Sequence, residues 1–171
     1  MPGMDVTFGR SGQRRYRVVI ERPGATRMIM EPAPGYHPCL PHDLVHYVVE
    51  SHWGLRDGIY GQLAAGGDAH TFRPADLVRT RRVARASARR NTPGTEVARS
   101  ERLAAVAFAA WQRRHGSGGE ADGGSWSDRL AAAGLREAEL AEVVERLDEV
   151  GRRWNSLAIG ESLTLRWPAF L

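Results

Sequence analysis

The fold of this chain is decided near its N-terminus, where the sequence RYRVVIE occupies residues 15–21. Apolar Tyr16, Val18 and Ile20 alternate there with other residues, and a period of two predicts a β-strand with one buried face. The same reasoning predicts two more strands, at residues 5–9 and 27–31. The turns that connect the three strands are predicted at residues 10–13 and 22–25. These elements together predict a three-stranded antiparallel β-meander.

Helical periodicity replaces this alternation after the proline-rich residues 32–41. Helices are predicted at residues 41–53, 58–65, 73–88 (beginning after Pro74), 95–114, 127–133 and 136–157, and a glycine-rich loop at residues 116–124. Leu163, Leu165 and Trp167 alternate again and predict a last strand that returns to the N-terminal sheet.

These elements predict one α+β domain. It spans residues 1–171, with a β-meander over 1–36, a helical part over 41–157 and a C-terminal strand over 162–168. The 171 residues, with 42% hydrophobic and 26% charged residues, are enough for a single core.

Charge is distributed unevenly along the chain. All 24 basic residues are arginine; residues 73–114 hold eleven of them against three acidic residues, whereas residues 115–161 hold five against ten. Pairing between the basic middle and the acidic end is the simplest explanation, and an anion-binding face on Arg79–Arg90 is the alternative.

Several protein classes are excluded by what the chain lacks. Cys39 is the only cysteine, so an intramolecular disulfide and a cysteine-based zinc finger are excluded. The first ten residues lack the apolar core of a signal peptide, and no apolar run is long enough for a membrane span. We therefore expect a cytoplasmic protein.

The histidines point to chemistry, because five of the six lie between His37 and His70. In the predicted helix 41–53, four side chains share roughly one quadrant at 100° per residue; they are His42, Asp43, His46 and Glu50. Imidazoles at i and i+4 can bind one metal ion, and nitrogen with oxygen ligands suits divalent zinc or iron. An ordinary solvated helix face is the alternative.

The sequence HDLVH at residues 42–46 resembles the HDxxH motif of a family of ubiquinone (coenzyme Q) biosynthesis proteins. The resemblance implies His42, Asp43 and His46 as metal ligands. Gln62, in the sequence GQLA, stands where that family has a further ligand, a glutamate. The His-Asp pair is also similar to that of HD-type phosphohydrolases.

The glycine-rich residues 66–70 could close over this helix face and bring Asp68 or His70 to it as a ligand or general base. Asp43, Asp68 and His70 are therefore the candidate catalytic residues. The leading hypothesis is a metal-dependent enzyme that acts on a small molecule. The alternatives are a module that binds nucleic acid or a protein partner through Arg79–Arg90, and a non-catalytic accessory protein.

Overall fold

The structure is a computed structural model that describes most of the chain. The described residues are 3–76, 85–86, 88–91, 95–116 and 125–169. Within them, five antiparallel strands pack against five helices, which confirms the predicted α+β class.

The strands form one sheet in the order β4-β3-β2-β1-β5. They are β1 (Met4–Gly12), β2 (Arg15–Glu21), β3 (Met28–Met30), β4 (Arg73–Pro74) and β5 (Ser162–Trp167). Because β5 pairs with β1, from Met4 opposite Trp167 to Gly9 opposite Ser162, the predicted return of the last strand is confirmed.

One face of the sheet is buried and the other faces solvent. Val6, Phe8 and Val18 are fully buried on the inner face. On the outer face, the hydroxyl groups of Thr7 and Thr164 lie 2.9 Å apart across β1 and β5. This alternation is typical of an antiparallel sheet covered by helices on one side.

Two details of the sheet differ from the prediction. The turn expected at residues 10–13 is wrong, since β1 continues to Gly12 through a register shift after Arg10 and pairs there with Arg15. A β-bulge accommodates the additional residue and moves the turn along the chain.

The second difference is a strand that the sequence analysis did not predict. Arg73 and Pro74, just before the helix predicted to begin after Pro74, form the edge strand β4 beside β3. Proline is tolerated at an edge because the outer side of an edge strand has no ladder partner. Part of the predicted helix lies outside the described residues, namely 77–84 and 87. So does most of the expected glycine-rich loop, at residues 117–124.

The helices lie close to their predicted positions. They are α1 (His42–Trp53), α2 (Ile59–Ala65), α3 (Thr95–Arg114), α4 (Trp126–Ala133) and α5 (Glu137–Asn155). Helix α1 is central, because α2, α3 and α5 all pack against it. The hydroxyl of Tyr47 in α1 also donates to the backbone oxygen of Arg166 in β5, at 2.7 Å.

This central position corrects one expectation about α1. The sequence predicts an inward apolar stripe with the polar quadrant at its border, but every residue from Asp43 to Ser51 is buried. Neighbours cover α1 on all sides, so His46 and Glu50 lie in the interior. His42, at the start of the helix, keeps a side chain that is 53% exposed.

No helix in the described part of the chain is long and apolar enough to cross a membrane.

Candidate metal centre

The chain before α1 positions the first histidine. The backbone N–H of His42 donates to the backbone oxygen of Gly35 at 3.2 Å. Gly35 has a φ of 71°, and a Cβ on it would lie only 2.7 Å from the Cβ of His42. A glycine is therefore required where the proline-rich segment packs against the start of α1.

The two histidines of α1 face each other. Their Nε2 atoms lie 3.0 Å apart, and the rings meet edge to face with centroids 4.5 Å apart. His46 is 1% exposed, whereas His42 lies at the surface. The i and i+4 spacing thus places one buried and one accessible nitrogen side by side.

Helix α3 adds a carboxylate that the sequence analysis did not single out. Oε2 of Glu101 lies 3.5 Å from Nε2 of His46 and 3.9 Å from Nε2 of His42. One possible ligand atom from each of the three side chains lies within 4.8 Å of the others. Nothing local in the sequence marks Glu101, because only the packing of α3 on α1 brings it here.

The proton on the buried histidine is placed by its neighbours. The hydroxyl of Ser100 donates to Oε1 of Glu50 at 2.7 Å and lies 2.8 Å from Nδ1 of His46. Since that hydroxyl has one proton, which it gives to Glu50, it accepts from an Nδ1–H of His46. The Nε2 lone pair of His46 then points towards His42 and Glu101.

Glu50 is held at the start of α2. The backbone N–H groups of Ile59 and Tyr60 donate to its two carboxylate oxygens at 2.9 and 2.8 Å. A Cβ on Gly58 would lie 2.6 Å from that carboxylate, so glycine permits the close approach. The sequence analysis placed Glu50 with His42 and His46 in one candidate metal site. In the structure Glu50 instead accepts from Ser100 and lies outside the His42–His46–Glu101 group.

Burial shifts the titration of both buried groups. Burial, reinforced by the charge of His42, lowers the pKa of His46 to about 3, so that its imidazole is neutral near pH 7. Burial raises the pKa of Glu50 to about 7, against the opposing effect of its hydrogen bonds. A neutral imidazole is the form that binds metal.

Asp43 lies on another face of α1. Its carboxylate contacts the hydroxyl of Tyr16, which also contacts the backbone oxygen of Pro34. The backbone oxygen of Asp43 accepts from the hydroxyl of Tyr60 at 2.9 Å. Burial raises the pKa of Asp43 above its ordinary value. Asp43 thus connects α1 to the sheet and to α2, and the structure does not bring it into the His42–His46–Glu101 group.

Gln62 also lies outside that group. Its Nε2 donates to the backbone oxygen of Asp57 at 2.9 Å, within the turn that leads into α2. Its Oε1 is buried and has no hydrogen-bond partner among the described residues.

Asp68 and His70 belong to a turn after α2. Oδ1 of Asp68 accepts from the backbone N–H of His70 at 3.0 Å and from Nδ2 of Asn91 at 2.8 Å. Ala69 and His70 adopt positive φ values of 46° and 60°. Oδ1 of Asn91 also accepts from the backbone N–H groups of Asp68 and Ala69. The contacts of the Asp68 carboxylate therefore stabilise this turn.

The arginine-rich segment is only partly within the described residues. Arg79, Arg81 and Arg82 lie outside them, whereas Arg85 and Arg89 are described and exposed. The nucleic-acid or partner-binding hypothesis for Arg79–Arg90 therefore stays a prediction. Pairing between the basic and acidic zones does occur at Asp148 of α5, which contacts Arg114 at 3.4 Å.

No protein-family model, no curated protein and no solved structure matches this chain. What the protein does is therefore inferred from its own geometry.

Proposed function

We propose that the protein binds one divalent metal ion through Nε2 of His42, Nε2 of His46 and the carboxylate of Glu101. The observation that carries the proposal is the convergence of these three ligand atoms within 4.8 Å on two different helices. The hydrogen bonds that connect Glu50 to Ser100 and Ser100 to His46 support the proposal. Proteins commonly orient a histidine ligand by a hydrogen bond to the ring nitrogen that does not bind the metal, here Nδ1 of His46.

The distances fit an ion after small side-chain movements. Ligand atoms on a tetrahedral zinc ion stand about 3.3–3.4 Å apart. The distance between the two histidine nitrogens is 3.0 Å, and Oε2 of Glu101 lies 3.5 and 3.9 Å from them. The side chain of Glu101 is 55% exposed and its torsions are free to close the remaining gap.

Two imidazoles and one carboxylate suit zinc or ferrous iron. Three protein ligands leave a coordination position open, and the exposure of His42 and Glu101 directs that position towards solvent. A metal ion bound there would lower the pKa of a water molecule or polarise a small substrate. We therefore propose a metal-dependent enzyme that acts on a small molecule.

Metal binding is tested by calorimetric titration of the metal-free protein with Zn²⁺, together with elemental analysis. We expect one equivalent in the wild type and in His70→Asn, a matched control whose backbone conformation suits asparagine. We expect His42→Ala and Glu101→Gln to bind much more weakly, while Glu145→Gln, an exposed carboxylate on α5, behaves as the wild type.

Substoichiometric binding in the wild type would contradict the proposal, as would equal affinity in Glu101→Gln and Glu145→Gln. Circular dichroism of each variant separates loss of a ligand from loss of the fold. Replacing zinc with cobalt then reports the ligand set through its visible absorption spectrum, which we expect Glu101→Gln to change.

A further inference from the structure

A cavity lies beside α2, between the start of β1, the end of β5 and the turn after β2. Its volume is about 380 Å³, in the range of small-molecule sites. Its lining shares no residue with the His42–His46–Glu101 group. Apolar walls come from Met4, Ala64, Ala65 and Trp167.

Charged groups are also part of the cavity lining. Arg22, Arg56 and Asp57 all line it, which leaves an excess of positive charge. The Nε of Arg22 is buried and has no hydrogen-bond partner among the described residues. A buried guanidinium N–H without an acceptor is costly, so an acceptor supplied by a ligand would be stabilised there.

A second guanidinium reinforces the local positive charge. A Cβ built on Gly66 would lie 3.1 Å from Nη1 of Arg22 and 3.1 Å from Nη1 of Arg90. The two guanidinium groups are therefore close neighbours. Burial and the charge of Arg90 lower the pKa of Arg22. Like charges held together in this way are relieved by an anion between or beside them.

We propose that this cavity binds a small organic anion, whose acidic group pairs with Arg22 and whose apolar body lies against Met4, Ala64 and Trp167. Arginine is suited to this role because its planar N–H groups match the two oxygens of a carboxylate. The apolar walls favour a ring or a branched hydrocarbon over a bare inorganic ion. The inference does not depend on the proposed metal.

The test uses phenylacetate as the probe, with its neutral analogue phenylacetamide and inorganic phosphate as comparisons. Binding is followed by calorimetry and by NMR chemical-shift changes at Ala64, Ala65 and Trp167, with and without a metal chelator. We expect phenylacetate to bind and to shift these signals, and the other two compounds to bind at least about tenfold more weakly.

Two variants remove the site by different means. Arg22→Gln removes the charge, and we expect phenylacetate binding to weaken at least about tenfold. Ala64→Trp fills the cavity from an exposed position while keeping the arginines, and we expect it to abolish binding. Arg152→Gln, an exposed arginine on α5 outside the cavity, is the matched control and should bind as the wild type does.

Equal binding of phenylacetate and phenylacetamide would overturn the role of charge, and equal binding of phosphate would overturn the role of the apolar walls. Binding that survives both Arg22→Gln and Ala64→Trp would place the anion elsewhere and overturn the proposal, as would no binding to the wild type. If Arg22→Gln is unfolded by circular dichroism, Ala64→Trp alone decides the matter.

Discussion

Two buried carboxylates on one helix lead to different roles. Asp43 contacts the hydroxyl of Tyr16 on the sheet, whereas Glu50 accepts from Ser100, which in turn orients His46. Burial raises the pKa of both carboxyl groups. The difference lies in what packs against each side of α1. A raised carboxyl pKa is therefore common to both sides, and only the hydrogen-bond partners distinguish Asp43, which contacts the sheet, from Glu50, which leads through Ser100 to the proposed metal ligands.

The largest difference between the two sides is expected from His46→Ala, which removes a proposed ligand. We expect the zinc dissociation constant to rise at least about 100-fold, beyond the 10–100-fold typical of groups that only orient a ligand. Titration of the folded, metal-free variant measures this. An unchanged zinc dissociation constant would mean that His46 binds no metal, and that the side of α1 facing α3 has only a structural role, like the side facing the sheet.

Asp43→Ala tests the opposite side and should affect stability instead of metal binding. We expect the free energy of unfolding to fall by about 1–3 kcal/mol, because a buried hydrogen-bonded group that anchors α1 is lost. Urea denaturation measures this fall, and zinc titration of the folded fraction should match the wild type. A large loss of zinc affinity would instead make Asp43 part of the metal site, as the HDxxH resemblance implies.

Ser100→Ala separates orientation from ligation. The variant keeps all three proposed ligands but removes the acceptor that holds Nδ1–H of His46, so we expect zinc affinity to fall about tenfold. Ser162→Ala, an exposed serine in β5, is the control and should show no change. If both serine variants bind zinc equally, the hydrogen-bond chain does not support the metal site.

The smallest effect is expected in the pH dependence of stability without metal. Unfolded Glu50 ionises near its ordinary pKa of 4.5, whereas burial raises the pKa in the folded state to about 7. The folded protein therefore holds more protons between these values, and this group makes stability fall as pH rises through that window.

Comparison of the wild type with Glu50→Gln isolates this contribution, since the other titrating groups are common to both. We expect the fall in unfolding free energy between pH 5 and 7 to be smaller in Glu50→Gln, by on the order of 1 kcal/mol. Only the difference in slope matters, because the amide also disturbs the hydrogen bonds from Ile59 and Tyr60. Parallel pH profiles would show that Glu50 titrates normally.

Much of the fold was predictable because local patterns agree with the packing. The alternation of Tyr16, Val18 and Ile20 produced β2, and that of Leu163 to Trp167 produced the returning β5. The strand β4 was not predictable, since two residues have no measurable period and depend on their partner β3. The turn after β1 was misplaced because a bulge leaves no periodic signal.

The proposed metal centre was half predictable. The i and i+4 spacing brings His42 and His46 together through helix geometry alone, and the distance of 3.0 Å between their nitrogens follows it. Glu101 and Ser100 could not be predicted, because they lie more than fifty residues further along and reach His46 only through the packing of α3 on α1.

The sequence by itself determined the α+β class, most helix boundaries and the histidine pair, because these depend on hydrophobic period and helical spacing between near neighbours. Only the tertiary structure decided which carboxylate joins that pair. Asp43, Glu50 and Asp68 all carry a carboxylate, but each is held by contacts of its own. The carboxylate of Glu101 is the one that the docking of α3 leaves beside the two imidazoles.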